Sequence, residues 1–370
     1  MAQDIDVGVR SGTTIGLDLG DKYTHFSVLT AVGKVRERGR VTTTPRGLER
    51  FLRDAPRSVV VLEAGTHSPW VSRLVAECGH EAVVANPRQI PLIFRSDRKS
   101  DDLDPERLAR LARVDRALLS PIRHRGKSTQ ADLALIRSRD ALVRSRTQLV
   151  NHVRGSVKSY GGRIPSGIST EAFAAKAAEH IPEDLKEQLE GVLTTLAVMT
   201  AQIRKHERAI CKLAKTKYRE AQSLMTVPGV GVLTAVTYVL TLEDPRRFAR
   251  SRDVGPYLGL VPRRSSSGRS DPELRITKAG DTDLRRLLVQ CAHCIVGRSR
   301  VDSDLKRWGL KLAARGKKNA KKRAVVAVAR KLAVLLHRLW VSGEEFVPLR
   351  NPVPVEPADA TVREAVSPRS

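Results

Sequence analysis

The stretch that decides the fold is TTIGLDLGDKYTHFSVLTA, residues 13–31. Its first half is a short apolar run that enters a turn, and THFSVLTA after the turn has the composition of a second strand. KVRERGRVTTT, residues 34–44, continues as a third strand. Thr44 and Pro45 then predict the start of a helix, because proline suits the first helical position. The rest of residues 13–95 has the pattern of helix, strand, helix and strand, which predicts a mixed α/β sheet.

Composition excludes several classes of protein. The chain has 370 residues, with 66 Lys and Arg against 40 Asp and Glu, which gives a formal net charge of +26. A hydrophobic share of 41% excludes wholesale disorder, and an aromatic share of 4% argues against a binder that mainly stacks bases. Four cysteines are too few for a disulfide framework in a chain of this length. The excess positive charge favours a polyanionic partner such as nucleic acid.

Signals for export and for membrane insertion are not expected. The N-terminal MAQDIDVGVR holds acids and lacks an apolar core. The uncharged stretch from Leu224 to Leu240 is interrupted by PGVG and predicts buried helix and turn. We therefore expect no membrane contact and a cytoplasmic, nucleoid-associated protein.

The middle and the end of the chain are predicted to be helical. Residues 185–213 place apolar side chains at alternating spacings of four and three over about four heptads, as in a coiled-coil seam. A second heptad column runs through residues 128–158, and the two helices could fold back as an antiparallel hairpin or pair with another subunit. His206 is the one polar seam position, where setting the register is favoured over catalysis. Residues 220–340 add further apolar helices, and the acidic, proline-rich residues 341–370 are expected to be disordered.

Carboxylates stand where buried strands end. Asp18 closes an apolar strand in IGLDLG, and Glu63 closes another in VVVLEAG, although an unpaired buried charge is costly. Asp101 and Asp104 in RKSDDLDPERLARL are three residues apart and would share one face of a first helical turn. Helix capping is favoured for Asp101 and its neighbours taken alone, and an ion pair with arginine could account for Glu63. Taken jointly on a basic chain, the four carboxylates favour a Mg²⁺ site with oxygen ligands.

A serine cluster lies among cations in GLVPRRSSSGRSDPELRITKAG, residues 259–280. Serine needs activation to act as a nucleophile, and arginines beside it suit a phosphate target. Spacing alone favours a flexible loop that contacts phosphate without catalysis.

The VPGVG turn at 227–231 could also hold phosphate through backbone N–H groups, whereas Cys291 and Cys294 fit a buried helix better than half of a zinc site. The cations expected to contact nucleic acid are Arg263, Arg264, Arg269, Arg275, Lys278, Lys317, Lys318, Lys321, Lys322 and Arg323.

Seven segments together resemble one family, the DEDD-type transposases of bridge-RNA-guided insertion sequences, which are relatives of the Piv-type DNA invertases. The segments are GLDLGDKYTHFSV, VVVLEAG, RKSDDLD, LMTVPGVGVLTA, DPRRFARSRDVGPYLGLVPRRSSSG, RITKAGDTDLRRLL and KKRAVVAVARKLAVLLHRLW. Their order and spacing over about residues 13–345 are more specific than any one of them. The resemblance implies an α/β RNase H-like (RuvC-like) domain at 13–125, an α-helical coiled-coil middle at 126–218, and a mainly α transposase domain with a helix-hairpin-helix-like turn at 219–345. We expect a flexible N-terminus at 1–12 and a disordered tail at 346–370, and the acidic, proline-rich tail is an addition to the family's pattern.

The resemblance also implies a metal site. It puts the family's Mg²⁺ ligands at Asp18, Glu63, Asp101 and Asp104. Asp102 is an extra acid that leaves the choice of Asp101 open. Pro105 departs from the small helix former that is usual at this position of the family.

A serine nucleophile that links covalently to DNA is implied as well. Ser267, beside Gly268, matches the motif best, and Ser266 is a close second because three consecutive serines blur the register. The family works as a dimer or tetramer, with one subunit's carboxylates facing another's serine. A structured guide RNA pairs with donor and target DNA, so that base pairing reads sequence and the protein holds backbones.

Three other functions stay open at this stage. An RNase H-like junction nuclease would use water and would need the carboxylates without Ser267. An actin-like ATPase or sugar kinase also uses a hairpin like IGLDLGDKYTHFSV, but the sequence lacks a second Asp-x-Gly strand and a Gly-rich adenosine motif. A non-catalytic nucleic-acid binder would show steep salt dependence without strand transfer.

Overall fold

The computed structural model describes residues 12–88, 103–265, 274–316 and 319–350. The chain divides into two compact units, Met1–Gly126 and Lys127–Ser370. The first unit is an α/β domain and the second is mainly helical, so the predicted fold classes of the two halves are confirmed. Dividing the second unit at residue 218 into a coiled coil and a transposase domain stays a prediction.

The first unit is built on a five-stranded mixed sheet. Its strands are β1 (Thr13–Leu19), β2 (Tyr23–Leu29), β3 (Val35–Thr42), β4 (Ser58–Glu63) and β5 (Glu81–Ala85). They lie in the order β3-β2-β1-β4-β5. The first three form antiparallel hairpins, whereas β4 and β5 run parallel to β1. The connections explain the strand directions, because short turns join antiparallel neighbours and helices join parallel ones.

Helices cover both faces of the sheet. The helices are α1 (Pro45–Asp54), α2 (Ser68–Glu77) and α3 (Leu103–Val114). Leu48 and Leu52 of α1 pack with α2 against Ile15 and Leu17 on one face, whereas α3 packs Leu108 on the opposite face. The start of α1 is as predicted: Pro45 is its first residue, and the Thr44 hydroxyl accepts the Gly47 N–H at 3.1 Å.

One contact fixes α3 against the central strand. A Cβ atom on Gly16 of β1 would lie 1.8 Å from the Pro105 carbonyl oxygen and 3.2 Å from Ala109 Cβ. Glycine is therefore required here, since the first turn of α3 touches the strand backbone directly. This close approach carries the N-terminus of α3 to the end of the strand that bears Asp18.

The second unit contains nine α-helices in its described residues. They are α4 (Lys127–Ser159), α5 (Phe173–Ala177), α6 (Glu183–Thr216), α7 (Ala221–Met225), α8 (Val232–Leu242), α9 (Val254–Tyr257), α10 (Thr282–His293), α11 (Asp304–Ala313) and α12 (Ala320–Ser342). The VPGVG turn joins α7 to α8, and α8 is buried almost throughout. At the end of the described chain, Phe346 packs on this core and the Asp304 N–H donates to the Pro348 carbonyl at 2.9 Å. None of the helices that the structure describes has the length and apolarity needed to cross a membrane.

The two long helices α4 and α6 form an antiparallel hairpin. Arg139 of α4 donates to Glu207 of α6 at 2.5 Å. Seven residues further along α4, Arg146 donates at 3.4 Å to Thr200, which lies seven residues earlier in α6. The predicted seam residues of α6 that are fully buried recur every seven positions: Leu189, Leu196, Ile203 and Ile210. Of the two arrangements left open by the sequence, the chain itself supplies the partner helix; a coiled coil between subunits stays a prediction.

The contact at Gly16 gives a stability prediction. Gly16→Ala should lower the free energy of unfolding by about 1–3 kcal/mol, the usual cost of overpacking, because Pro105 and its helix must move. Gly65→Ala is the matched control, since a Cβ there meets no atom within 4 Å. Urea unfolding of both variants measures the difference. Equal stabilities of the two variants would show that α3 is not held against β1 in this way.

Candidate active site

Asp18 and Glu63 stand on neighbouring parallel strands. The pairing of β1 with β4 runs up to Leu17 opposite Leu62, so the next residues along each strand are Asp18 and Glu63. Adjacent strands lie about 4.8 Å apart. Because side chains alternate along a strand, both carboxylates fall on the face opposite Leu17 and Leu62, which is the α3 face. Both residues are half-buried.

Asp104 reaches the same face from α3. It immediately precedes Pro105, whose backbone touches Gly16 two residues before Asp18. One carboxylate oxygen, Asp104 Oδ1, is buried and has no hydrogen-bond partner among the described residues. Arg107 Nη1 lies 3.7 Å from it, close enough for an ion pair and too far for a hydrogen bond. A buried carboxylate oxygen without a donor is an oxygen ligand open to a cation.

The fourth predicted ligand cannot be placed. Asp101 and the neighbouring Asp102 lie outside the described residues. Within the described ranges no group of three His, Cys, Asp or Glu side chains is close enough to hold a metal ion. The donors that do share the α3 face are all carboxylates, Asp18, Glu63 and Asp104, which suits a hard divalent cation such as Mg²⁺. The residues therefore fit the ion in chemistry, with Asp101 needed to complete the set.

A hydrogen-bonded pair that the sequence did not reveal holds the chain just after Glu63. The Ser68 hydroxyl, at the start of α2, accepts the Gly65 N–H at 3.0 Å and donates to the Gly65 carbonyl at 2.8 Å. His124 Nε2 lies 2.8 Å from the same hydroxyl. Burial, reinforced by Arg73 and Arg125, lowers the pKa of His124, which favours the neutral ring. The pair fixes the turn that follows the carboxylate.

The serine loop is flanked by a short antiparallel stem in the second unit. The Arg263 N–H donates to the Arg275 carbonyl, and the Thr277 N–H donates to the Val261 carbonyl, both at 2.9 Å. Ser265 at the end of the first stem strand is exposed. Ser266, Ser267 and Arg269 lie outside the described residues, so the role predicted for the candidate nucleophiles stays a prediction.

A buried arginine, also missed by the sequence analysis, locks this stem to the core. Arg285 of α10 donates to the carbonyls of Leu258 at 3.0 Å and Ala279 at 2.6 Å. At Gly259, which has a φ of +66°, a Cβ would lie 2.2 Å from the Ala279 N. The two stem strands are therefore packed backbone to backbone and clamped. The available signal was the first arginine of DLRRLL, Arg285, which stands beside the buried Leu284 and Leu288 in an amphipathic helix.

The predicted cations that the structure describes are exposed. Four flank the serine loop: Arg263, Arg264, Arg275 and Lys278. Three more occupy the first turn of α12: Lys321, Lys322 and Arg323. Cations at a helix N-terminus are unfavourable because the helix dipole is positive there, which favours an anionic partner at this point. Lys317 and Lys318 lie outside the described residues.

Comparison with known proteins connects both units to one group. Residues 15–161 match the sequence model of a DEDD-type transposase, described as "Transposase". Residues 221–307 match the model described as "Transposase IS116/IS110/IS902 family". The first range holds all four candidate carboxylates and the second holds the serine loop.

Proteins that match most of this chain are named as transposases too. The chain is 31% identical to the transposase for insertion sequence element IS1328 of Yersinia enterocolitica, over 90% of this chain and 98% of that protein. It is 30% identical to the transposase for insertion sequence element IS1111A of Coxiella burnetii, over 78% of this chain and 79% of that protein. A probable family 20 transposase of Pseudomonas aeruginosa is 30% identical over 78% of this chain. The chain therefore belongs to the IS116/IS110/IS902 family of transposases, enzymes that cut and rejoin DNA.

Proposed function

We propose that the chain excises and inserts its own mobile element through a Mg²⁺ site and a serine nucleophile, guided by a structured RNA. The metal ligands would be Asp18, Glu63, Asp101 and Asp104, and the nucleophile would be Ser267. The observation that carries the proposal is the contact of the Pro105 backbone with Gly16. It packs the first turn of α3, which bears Asp104, against the face of the sheet that bears Asp18 and Glu63. The buried Oδ1 of Asp104 has no hydrogen-bond partner among the described residues. A divalent cation bound near these carboxylates would offset their mutual repulsion.

The sheet supports a RuvC-like assignment of the first domain. Three antiparallel strands are followed by two parallel ones in the order β3-β2-β1-β4-β5. The candidate ligands come from the central strand, its parallel neighbour and the helix behind them. This arrangement agrees with an RNase H-like nucleotidyl-transfer site.

The protein residues have separate tasks in the proposed reaction. Asp18 and Glu63 are held by neighbouring strands of the sheet, and the Gly16 contact holds the helix turn that bears Asp104, so the three candidate ligands would approach the ion from fixed elements. These residues would hold Mg²⁺, which would supply Lewis-acid polarisation of the scissile phosphate. Arg263 and Arg275 on the stem suit the phosphate oxygens, because guanidinium groups bind phosphate through paired hydrogen bonds.

The serine step conserves the number of phosphodiester bonds. Ser267 Oγ forms a bond to phosphorus while the bond from phosphorus to the 3′-oxygen breaks. The serine proton is lost and the departing 3′-oxygen gains one, which leaves a phosphoserine linkage and a free 3′-hydroxyl. After strand exchange a 3′-hydroxyl attacks the phosphoserine and releases the serine.

Guide RNA and assembly complete the proposal. A net charge of +26 with 4% aromatic residues suits a protein that holds nucleic-acid backbones and leaves sequence reading to base pairing. Because the serine loop belongs to a different compact unit from the carboxylates, a dimer or tetramer could join one subunit's serine to another's metal site. The alternative activity is an RNase H-like nuclease that uses the same carboxylates with water.

Neutralising one ligand should abolish activity without preventing DNA binding. Asp18→Asn and Glu63→Gln should each reduce recombination in cells, with element ends supplied, by more than about 100-fold, since loss of groups merely supporting a metal site already costs 10–100-fold. Asp21→Asn is the matched control, because this acid is three residues from Asp18 and its side chain is 98% exposed. Full activity of Asp18→Asn would remove the metal assignment.

The serine assignment has its own readout. With DNA carrying the element junction, the wild-type protein should give a covalent protein–DNA adduct on a denaturing gel, and Ser267→Ala should give none. Ser265→Ala, on the described stem, is the control that should keep the adduct, and Ser266→Ala decides the register. Cleaved DNA without any adduct in the wild type would identify the water-using nuclease instead.

A further inference from the structure

We propose that one exposed face of α6 binds the phosphate backbone of duplex DNA. This face, called the α6 cation face, is formed by Arg204, Arg208, Lys212 and Lys215. The inference rests on membership of a transposase family, which acts on DNA, and is independent of the roles proposed for the carboxylates and for Ser267.

The spacing of these cations makes a straight stripe. They follow one another at intervals of four, four and three residues, which puts them on one side of the helix. With a rise of 1.5 Å per residue the stripe is about 16 Å long. Duplex DNA carries a phosphate about every 3.4 Å of axis on each strand, so the stripe can contact several phosphates of one backbone.

The positive charge of the stripe is largely uncompensated. Among the described residues no carboxylate lies within 4 Å of Arg208, Lys212 or Lys215. Glu207, the one acid on this stretch of α6, accepts two hydrogen bonds from Arg139, so it is already neutralised from α4. Arg204 lies 3.3 Å from Glu171, but both side chains are half exposed, so this ion pair is weak enough to exchange for phosphate.

The helix beneath the stripe is held rigidly. Its opposite side buries Ile203, Ile210 and Ala214 in the hairpin with α4 and in the adjoining core. At the C-terminal end of α6 the Tyr218 hydroxyl donates to Asp132 of α4 at 2.6 Å. The cations are therefore presented in a fixed row, which reduces the entropy lost when they bind a regular backbone.

A further cation lies behind the stripe in the hairpin. Arg146 of α4 is 8% exposed, and its Nε is buried without a hydrogen-bond partner among the described residues. Its Nη1 donates to the neutral Thr200 at 3.4 Å, and the carboxylates of Glu171 and Glu207 act on its charge through space. A buried charge in this position adds to the positive potential outside α6 and is better tolerated when a polyanion is bound there.

Duplex DNA fits this face better than unstacked single strands. Residues 203–216 contain no Phe, Tyr or Trp, so the face lacks the side chains on which free bases stack. An open groove of about 510 Å³ runs along the same residues. A straight, shallow, cationic surface suits a duplex backbone that is contacted through its phosphates.

The test is a matched pair of quadruple variants of the full chain. The first is Arg204→Gln/Arg208→Gln/Lys212→Gln/Lys215→Gln. The control changes four exposed cations at the other end of the hairpin and has the same net charge: Lys158→Gln/Arg163→Gln/Lys176→Gln/Lys186→Gln. Binding to a 30-base-pair DNA duplex and to an RNA duplex of equal length is measured by fluorescence anisotropy in EDTA, across a salt series. Circular dichroism and thermal unfolding check that both variants fold.

The first variant should bind DNA at least about tenfold more weakly at 0.1 M salt, and the slope of log K against log salt should fall by about 3, since each lost phosphate contact removes about 0.9. The control should stay within about twofold of wild type, and the loss for RNA should not exceed that for DNA. Wild-type DNA affinity in the first variant, an equal loss in the control, or a larger loss for RNA would each overturn the proposal. Because no metal and no strand transfer enter the measurement, failure of the proposed chemistry leaves this result unaffected.

Discussion

The structure of the first unit depends on the direct contact between the backbone of β1 at Gly16 and the first turn of α3 at Pro105. A side chain at Gly16 would separate the two elements, since its first carbon alone would overlap the Pro105 carbonyl. With no side chain in between, the first turn of α3, which bears Asp104, lies directly against the strand that bears Asp18. Pro105 is well suited to this place, because the early residues of a helix have no intrahelical partner for their N–H groups and proline lacks one. The residue that departs from the family's usual small helix former is thus compatible with the site.

The same contact has an electrostatic consequence. Asp18, Glu63 and Asp104 are half-buried on one face, where water screens their mutual repulsion incompletely. Arg107 lies within ion-pair distance of Asp104, and one oxygen of that carboxylate still lacks a hydrogen bond. A buried oxygen without a hydrogen bond lowers stability, and a cation bound there in the proposed reaction would offset this cost.

Local patterns in the sequence predicted the helices and strands well. They could not predict contacts between residues far apart in the sequence. The strand at 58–63 and the helix beginning at Pro45 follow from a buried apolar run and from a capping pair, which are properties of neighbouring residues. The partner of Gly16, some 90 residues further on, could not be read from IGLDLG, although a glycine within a strand signals a close approach of some backbone. The clamp made by Arg285 was missed for the same reason: its acceptors are carbonyl groups, which no side-chain pattern reveals. The heptads of α6 predicted a packed helix but not the helix that packs against it. A heptad pattern shows which side chains are buried, and it does not show whether the partner helix belongs to the same chain or to another subunit.

The clamped stem also limits where the serine chemistry can occur. Arg285 holds the stem strands to the core of the second unit, so Arg263 is a fixed point. Ser267 is four residues further along, and an extended chain spans at most about 3.6 Å per residue, so its Cα lies within about 14 Å of that of Arg263. In the proposed mechanism, a phosphate attacked by Ser267 would therefore come close to the guanidinium groups at the base of the loop. Bringing that phosphate and the carboxylates together would then depend on the placement of DNA by the exposed cations and on the assembly of subunits.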